Sequence, residues 1–568
     1  MLLVNNVSIK VKNKIQICIN IAGMFRIRFI LIYLLLITAC QPNQRYEGKS
    51  IFRFNMPEGI TSLDPAFARS LDNVSAVNQL FNGLVQLDNQ LTVSPCIAKA
   101  WEISDDGKRY RFNLRTDVFF HKSHVFGADS IREVIAKDII YSFNRLVDES
   151  MLSPGKWVMN KVERTSDGKL KIIALNDSTI DIYLKQEFPP FLGILSMQYC
   201  AIVPKEAVDF YGRDFRENPV GTGPFQFKYW SENSKLVYLK NPMYFEKDEN
   251  GNSLPYLDAI AISFIKDQEI AFLKFLKHEI DYLSGLKGSY KDELLNSRGE
   301  LNPKYQSKVI FDKSPYLNTE YLGFYVDGTQ SGDKQVLSKE LRKAINYGFD
   351  RVKMLNYLRN GIGFPANGGF IPKGLPGFKI TGGLGYTFQA DSVKSLLKRA
   401  GYPNGQGLQP IVLSTSAEYL DICEYLQSQL ADFGIPIEVS VNQAATNNQL
   451  IANGELEFFR KSWVADYPDA ENYLSLFRSK NFAPAGPNYT HFSSSLYDSL
   501  YNHAMRITSD SIRAELYAKM DSIIIDEAPI VPLFYDELVR FTQPTISGIG
   551  VNPMNLLVLK YARKSEVN

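Results

Sequence analysis

The segment from Ile411 to Val441 constrains the fold more than any other stretch of this chain. Ile411 to Leu413 is a short apolar run of strand type. Ile422, Leu426 and Leu430 then recur at helical spacing, and Gly434 stops the helix. Ile435, Ile437, Val439 and Val441 alternate strictly with polar or small residues, the period of a half-buried strand. Strand, helix, strand in this order implies a parallel pair joined by a right-handed crossover. Two more apolar stripes precede it. Leu341, Ala344, Ile345, Gly348, Val352 and Leu355 fall at helical spacing, with Asn360-Gly361 as a stop. Val393, Leu396, Leu397 and Ala400 form the next, with Asp391 as its expected cap and Gly401 as its end. The first half of the chain reads differently. Tyr110, Phe112 and Leu114 alternate with Arg111, Asn113 and Arg115, and Ile180, Ile182 and Leu184 alternate with polar neighbours. The chain is therefore predicted to be α/β in its second half and β-rich in its first. Its 568 residues allow two to four domains, and no internal repeat of solenoid length is present.

The first forty residues read as an address. Arg26 and Arg28 precede an apolar run over residues 29–37, which then meets small residues and Cys40. That run is too short to span a bilayer and has the build of a secretory signal. Leu36-Ile37-Thr38-Ala39-Cys40 resembles the lipobox of bacterial lipoproteins, in which the cysteine is lipidated and becomes the first mature residue. Residues 1–39 are accordingly assigned to an upstream extension plus signal peptide, with translation starting at Met24. Residues 40–49, polar and carrying Pro42 and Gly48, read as a flexible tether. Several acyl chains would hold the body at a membrane surface. Gln41-Pro42-Asn43-Gln44 carries no acidic run, which favours an inward-facing, periplasmic location over a surface-exposed one.

Composition and motifs narrow the function. A net charge of +2 without a long Lys/Arg tract argues against a nucleic-acid partner. The 36 Phe and 31 Tyr suit cores and sheet faces first, and ligand grooves second. Cys96, Cys200 and Cys423 are scattered and form no CxxC pair, so isolated buried thiols are expected rather than zinc or redox chemistry. The chain has no GxSxG elbow, no HExxH and no phosphate-binding P-loop. Ser153-Pro154-Gly155-Lys156 has the bare SxxK spacing, but proline and glycine would break the helix that such a site needs. His121 and His124, three apart, read as a surface pair among polar neighbours. Asp105-Asp106 before Gly107 is turn chemistry. Nothing assembles a nucleophile, base and oxyanion site, so an enzyme, a metal centre and a cofactor are not expected.

The chain from about Ile51 to Tyr561 resembles the peptide/nickel-type (oligopeptide and dipeptide) family of extracellular solute-binding proteins of ABC transporters. Leu63-Asp64-Pro65-Ala66 looks like the family's opening motif, and Leu80-Phe81-Asn82-Gly83-Leu84-Val85 like its next segment. The stretch from Pro95 to Gly107, containing Trp101, Ser104, Asp106 and Gly107, is similar to the family signature. Phe112-Asn113-Leu114-Arg115, the stretch from Ala136 to Arg145, Gly221-Thr222-Gly223-Pro224-Phe225, the stretch from Leu341 to Asn346, and Ala400-Gly401-Tyr402-Pro403 follow in family order. Trp463 to Asp469 and Ala528 to Leu533 complete the series. Two departures stand out. Cys96 and Ile97 replace commoner choices in the signature, and residues 123–133 look inserted, so loop contacts there do not transfer.

The resemblance implies a two-lobed, periplasmic-binding-protein-like α/β fold with mixed sheets and a central ligand cleft. Lobe I would be discontinuous, taking residues 50–312 (with an inserted β-rich subdomain) and 528–568, and lobe II would take 313–527. Crossing strands are expected near 312–318 and 526–533. The resemblance further implies that Asp466 meets a peptide's α-ammonium, that Trp463 and Tyr467 wall the site, and that Tyr316, Leu317 and Asn318 lie along the first crossing strand, where an extended peptide can add as a strand. Asp64 is expected to shape a loop beside the cleft, and Gly221-Thr222-Gly223-Pro224 to form a turn. The expected partners are a peptide, an inner-membrane permease with its ATPase, and the membrane through Cys40, with the protein itself a monomer. Relatives that carry nickel chelates, haem or oligosaccharides keep those solutes open as alternatives, and an exported hydrolase is the reading from another class.

Overall fold

The predicted strand, helix and strand are Ile411–Ser416, Leu420–Ala431 and Ile437–Asn442, and the two strands pair in parallel with Ile411 opposite Ile437. Ile422, Leu426 and Leu430 are buried beneath the crossover helix. The computed structural model describes residues 48–566 except 129, 286–289, 329–335, 379–383 and 551, so Cys40, the signal and most of the tether lie outside the described residues.

This unit forms one edge of an eleven-stranded mixed sheet. From that edge the order is Ile437–Asn442, Ile411–Ser416, Phe458–Val464, Ile310–Phe324, Ile530–Thr542, Tyr282–Ser284, Ile51–Asn55, Ala259–Ser263, Lys235–Lys240 and Phe225–Ser231, with Phe364–Pro365 paired off the path on the Ile530–Thr542 strand. In Ile51–Asn55, Phe52 and Phe54 face inward between half-exposed neighbours, the period-two pattern of a strand with one covered face. A second, four-stranded antiparallel sheet holds the predicted early strands. Arg109–Leu114 sits against Thr179–Tyr183, with Tyr110 opposite Ile182 and Phe112 opposite Ile180.

The two longest strands, Ile310–Phe324 and Ile530–Thr542, run antiparallel through the middle of the large sheet. Their register breaks between Pro315 and Thr319. Proline removes a ladder donor, and the chain bulges there. Tyr316, Leu317 and Asn318 occupy the bulge. Leu317 donates its N–H to Pro553 O at 2.8 Å, and its carbonyl accepts from Ala465 N at 2.9 Å and Tyr473 Oη at 2.6 Å.

Apolar side chains gather in three cores. The largest combines the segment from Phe52 to Phe264 with residues between Ala465 and Ile524. A second is built from the segment between Leu322 and Phe458. A third, smaller one lies around Phe275, Leu294 and Phe541. The long central strands feed all three: Leu317 and Tyr321 the first, Leu322 and Phe324 the second, and Phe311 packs on the third.

Several local expectations need correction. The stripe from Leu341 to Leu355 is two helices, Lys339–Tyr347 and Arg351–Arg359. Asp350 accepts from Val352 N and Lys353 N, which starts a new helix, and Val352 is exposed. Asp391 lies inside the helix Ala390–Arg399, whose N-cap is Gln389. His121 and His124 are no surface pair. His121 is buried, its Nε2 bonded to Gly223 O at 3.0 Å and its Nδ1 accepting from Gly221 N at 3.2 Å, and burial pushes its pKa down to about 4. That contact explains the Gly221-Thr222-Gly223-Pro224 segment. A Cβ on Gly223 would stand 2.4 Å from Leu80 C, so only glycine lets this turn lie against the Leu80 backbone. Cys96, Cys200 and Cys423 are free, buried thiols, as expected.

Candidate functional site

Asp466 follows the strand Phe458–Val464, where the chain turns into the short helix Glu471–Leu474. Asn472 fixes this turn. Its Oδ1 accepts from Trp463 Nε1 at 2.9 Å and Asp466 N at 3.1 Å, and its Nδ2 donates to Asp466 Oδ2 at 3.1 Å. Asp466 makes no ion pair among the described residues. Its side chain is solvent-accessible, yet surrounding protein desolvates the carboxylate and raises its pKa above the ordinary value, against the opposing hydrogen bond from Asn472. The carboxylate is thus open to solvent on one side and crowded by protein on the other.

The other predicted residues divide into two groups. Trp463 is half-buried beside Asp466. Tyr316 is half-buried as well, and burial, with Asp536 and Glu320 adding, raises its hydroxyl pKa. Asn318 is buried; its Nδ2 donates to Glu320 Oε1 at 3.0 Å and Asp536 Oδ2 at 3.4 Å, while its Oδ1 accepts from no group among the described residues. A buried amide oxygen left open is costly and suits a ligand N–H. Tyr467 and Leu317 turn away from this role. Tyr467 is 4% exposed and donates its hydroxyl to buried Glu471, so it supports the turn from behind rather than walling the site. Leu317 has no side-chain exposure, and both its backbone groups are taken within the fold, so it offers no free ladder group to an added strand.

Around Asp466 stand groups with no local sequence signal. Tyr199 and Tyr489 both have hydroxyl pKa values raised by burial, with the Asp466 charge contributing. Lys461 donates to Asn448 Oδ1 at 2.6 Å, and its ammonium lies 4.7 Å over the Tyr489 ring; burial, then Arg460, brings its pKa down to about 8. Arg460 pairs with buried Glu320. Asn472 was discoverable in principle, as a polar residue six positions after Asp466 in one motif. Among the described residues no cluster of His, Cys, Asp and Glu is arranged to hold a metal.

Removing Asn472 tests the clamp. Asn472→Ala leaves the Trp463 indole N–H without its partner, which is expected to lower stability by about 1–3 kcal/mol. Denaturant unfolding measures that loss, and the freed Asp466 should also bind ligand severalfold more weakly by calorimetry.

A large mixed sheet threaded by two long strands, with a desolvated carboxylate just past the strand that pairs with one of them, is the architecture of a two-lobed periplasmic binding protein. Residues 92–484 match the family "Bacterial extracellular solute-binding proteins, family 5 Middle", and the chain belongs to this family. It is 26% identical over 498 residues to heme-binding protein A of Haemophilus influenzae, covering 84% of this chain and 85% of that protein. It is 24% identical over 489 residues to the dipeptide-binding protein of Escherichia coli, covering 84% and 87%. Among solved structures it resembles the ABC transporter-associated periplasmic binding protein DppA from Helicobacter pylori in complex with peptide STSA, with TM-score 0.73, 25% identity and coverage of 91% of this chain and 98% of that one. The family is extracellular and binds solutes. No helix among the described residues is long and apolar enough to cross a membrane.

Proposed function

We propose that this protein captures peptides in its recess, closes over them, and delivers them to an inner-membrane ABC permease while anchored to the membrane through a lipid on Cys40. The observation that carries this reading is Asp466: a fixed, desolvated carboxylate with no cationic partner among the described residues. A cation brought by the ligand would relieve that unfavourable state, and a peptide's α-ammonium is such a cation. The protein is a binder and not an enzyme in this reading, because among the described residues no nucleophile and base are seen paired beside Asp466. Lobe I would comprise residues 50–312 and 528–568 and lobe II 313–527, hinged at the central strands where Pro315 to Thr319 break register. Contact between the Trp157 and Tyr467 rings, 6.3 Å apart, would mark where the lobes meet. Two relatives support different cargoes, since one is named for haem and one for dipeptides. Titration of a tripeptide library, haem, a nickel chelate and an oligosaccharide into the purified protein tests the reading. Peptide binding alone is expected, and binding of haem with no peptide binding would overturn it.

A further inference from the structure

Among the described residues, the buried carboxylates of Asp64, Asp138, Asp181, Asp281, Glu320 and Asp469 each meet an Arg or Lys. Buried Glu471 takes two tyrosine hydroxyls instead. Asp521 has neither. It lies in the helix Asp510–Glu527, 1% exposed, and its oxygens accept only from backbone, Oδ1 from Phe370 N at 2.8 Å and Oδ2 from Ile371 N at 3.4 Å. A Cβ on Gly369 would stand 2.0 Å from Oδ2, so only glycine lets this loop close over the carboxylate.

The loop that Asp521 grips is fastened to both long central strands. Thr319 Oγ1, at the residue where the Ile310–Phe324 strand regains its register, donates to Phe370 O at 3.0 Å. Tyr535 Oη, from Ile530–Thr542, donates to Gly369 O at 2.8 Å, and Phe364–Pro365, just before the loop, pairs on that same strand. The Phe370 ring stands edge-on to Tyr321 at 5.2 Å and to Tyr473 at 5.7 Å. Tyr473 is the residue whose hydroxyl holds Leu317 O in the bulge. One helix carboxylate thus closes a staple over the register break.

A carboxylate taken out of water without a cation favours its protonated form. The two N–H donors oppose this, but burial outweighs them and brings the pKa of Asp521 up to about 7. The titratable groups that face it are Tyr535 of the central strand and Tyr497 of the helix Ser495–Ala504. Their hydroxyls donate to Gly369 O and Leu474 O, and no cation or second carboxylate acts on Asp521. Opening the loop returns the carboxylate to water and to its ordinary pKa. Protonation therefore favours the closed loop, and ionisation favours the open one.

We propose that Asp521 is a pH-sensitive latch on the two central strands, holding the Gly369–Ile371 loop across their register break while protonated and releasing it as it ionises. The latch goes beyond the capture reading and does not depend on which solute is bound. Its effect falls on the strands at which the hinge was placed, so their freedom to move rises with pH.

Hydrogen exchange of the full-length protein at about pH 6 and about pH 8, corrected for intrinsic amide chemistry, tests it. Protection at Phe370 and Ile371 is expected to be about tenfold lower at the higher pH, the change that linkage requires when a carboxylate titrating near neutrality regains its ordinary pKa on opening. The strand Ile411–Ser416, remote from the latch in sequence, serves as the internal reference and should keep its protection. Asp521→Asn cannot ionise, so its protection at Phe370 and Ile371 should be the same at both pH values, while Asp466 and Asp469 still titrate in it. Equal protection of the native loop at both pH values, or a loss shared equally by Ile411–Ser416, overturns the latch even if the variant fails to fold. The same pH dependence in Asp521→Asn overturns it as well.

Discussion

Asp466→Asn is expected to weaken binding of an unblocked tripeptide by at least about tenfold, because removing one member of a desolvated, hydrogen-bonded charge pair costs about 2–5 kcal/mol of binding energy. An N-acetylated tripeptide should bind weakly and equally to both proteins, since it brings no cation. Stability should move the other way. The folded-state pKa of Asp466 is raised by desolvation, so its ionised form destabilises the unliganded fold. That cost is absent below the ordinary carboxylate pKa, grows as pH rises through it, and is complete above the raised value. Asn carries no such cost, and its amide can still bond Asn472. At neutral pH the variant should melt at the same temperature or slightly higher, a difference that vanishes in acid. Affinity of the native protein should fall as pH drops through the raised pKa, before an ordinary carboxylate would titrate. Calorimetry and thermal unfolding across pH measure both sides.

The largest expected loss of stability comes from the opening motif. Asp64 accepts from Ala66 N at 3.1 Å and takes both terminal nitrogens of Arg145, one at 2.8 Å. The side chains are only 5% and 8% exposed. Asp64→Ala strands a buried guanidinium and is expected to cost about 3–5 kcal/mol. Asp64→Ala with Arg145→Leu should recover much of that loss, because no unpaired charge remains. Denaturant unfolding of the two variants distinguishes a stranded charge from the loss of a turn cap, which costs about 1 kcal/mol.

These two aspartates show where sequence was informative. Asp64 precedes proline in a motif, and its structural role follows from turn chemistry; its partner 81 residues away does not. The crossover unit from Ile411 to Asn442 was legible because each element has its own period. The split between Tyr347 and Arg351 was hidden because the apolar spacing continues through it, while the Asp350 cap competes with a continuous helix. The grouping of cores was not legible at all. The Tyr467 ring lies 6.3 Å from that of Trp157, hundreds of positions earlier, and no local period records such a contact. Asp466 was located through resemblance alone. What supports it as a proposed site, an accessible carboxylate desolvated by its surroundings and held by Asn472, exists only in three dimensions. The same holds for Tyr199 and Tyr489, ordinary residues in the sequence whose buried hydroxyls feel the Asp466 charge in the fold. Tyr467 and Leu317 fail in the opposite sense: adjacency to the site in sequence placed them in its supporting layer.

The central claim is that the recess holds peptides. Protein purified from its own cells without refolding, then denatured, should release its cargo for mass spectrometry. Short peptides with free amino termini are expected. Release of haem, a nickel chelate or an oligosaccharide, with no peptide above background, would contradict it.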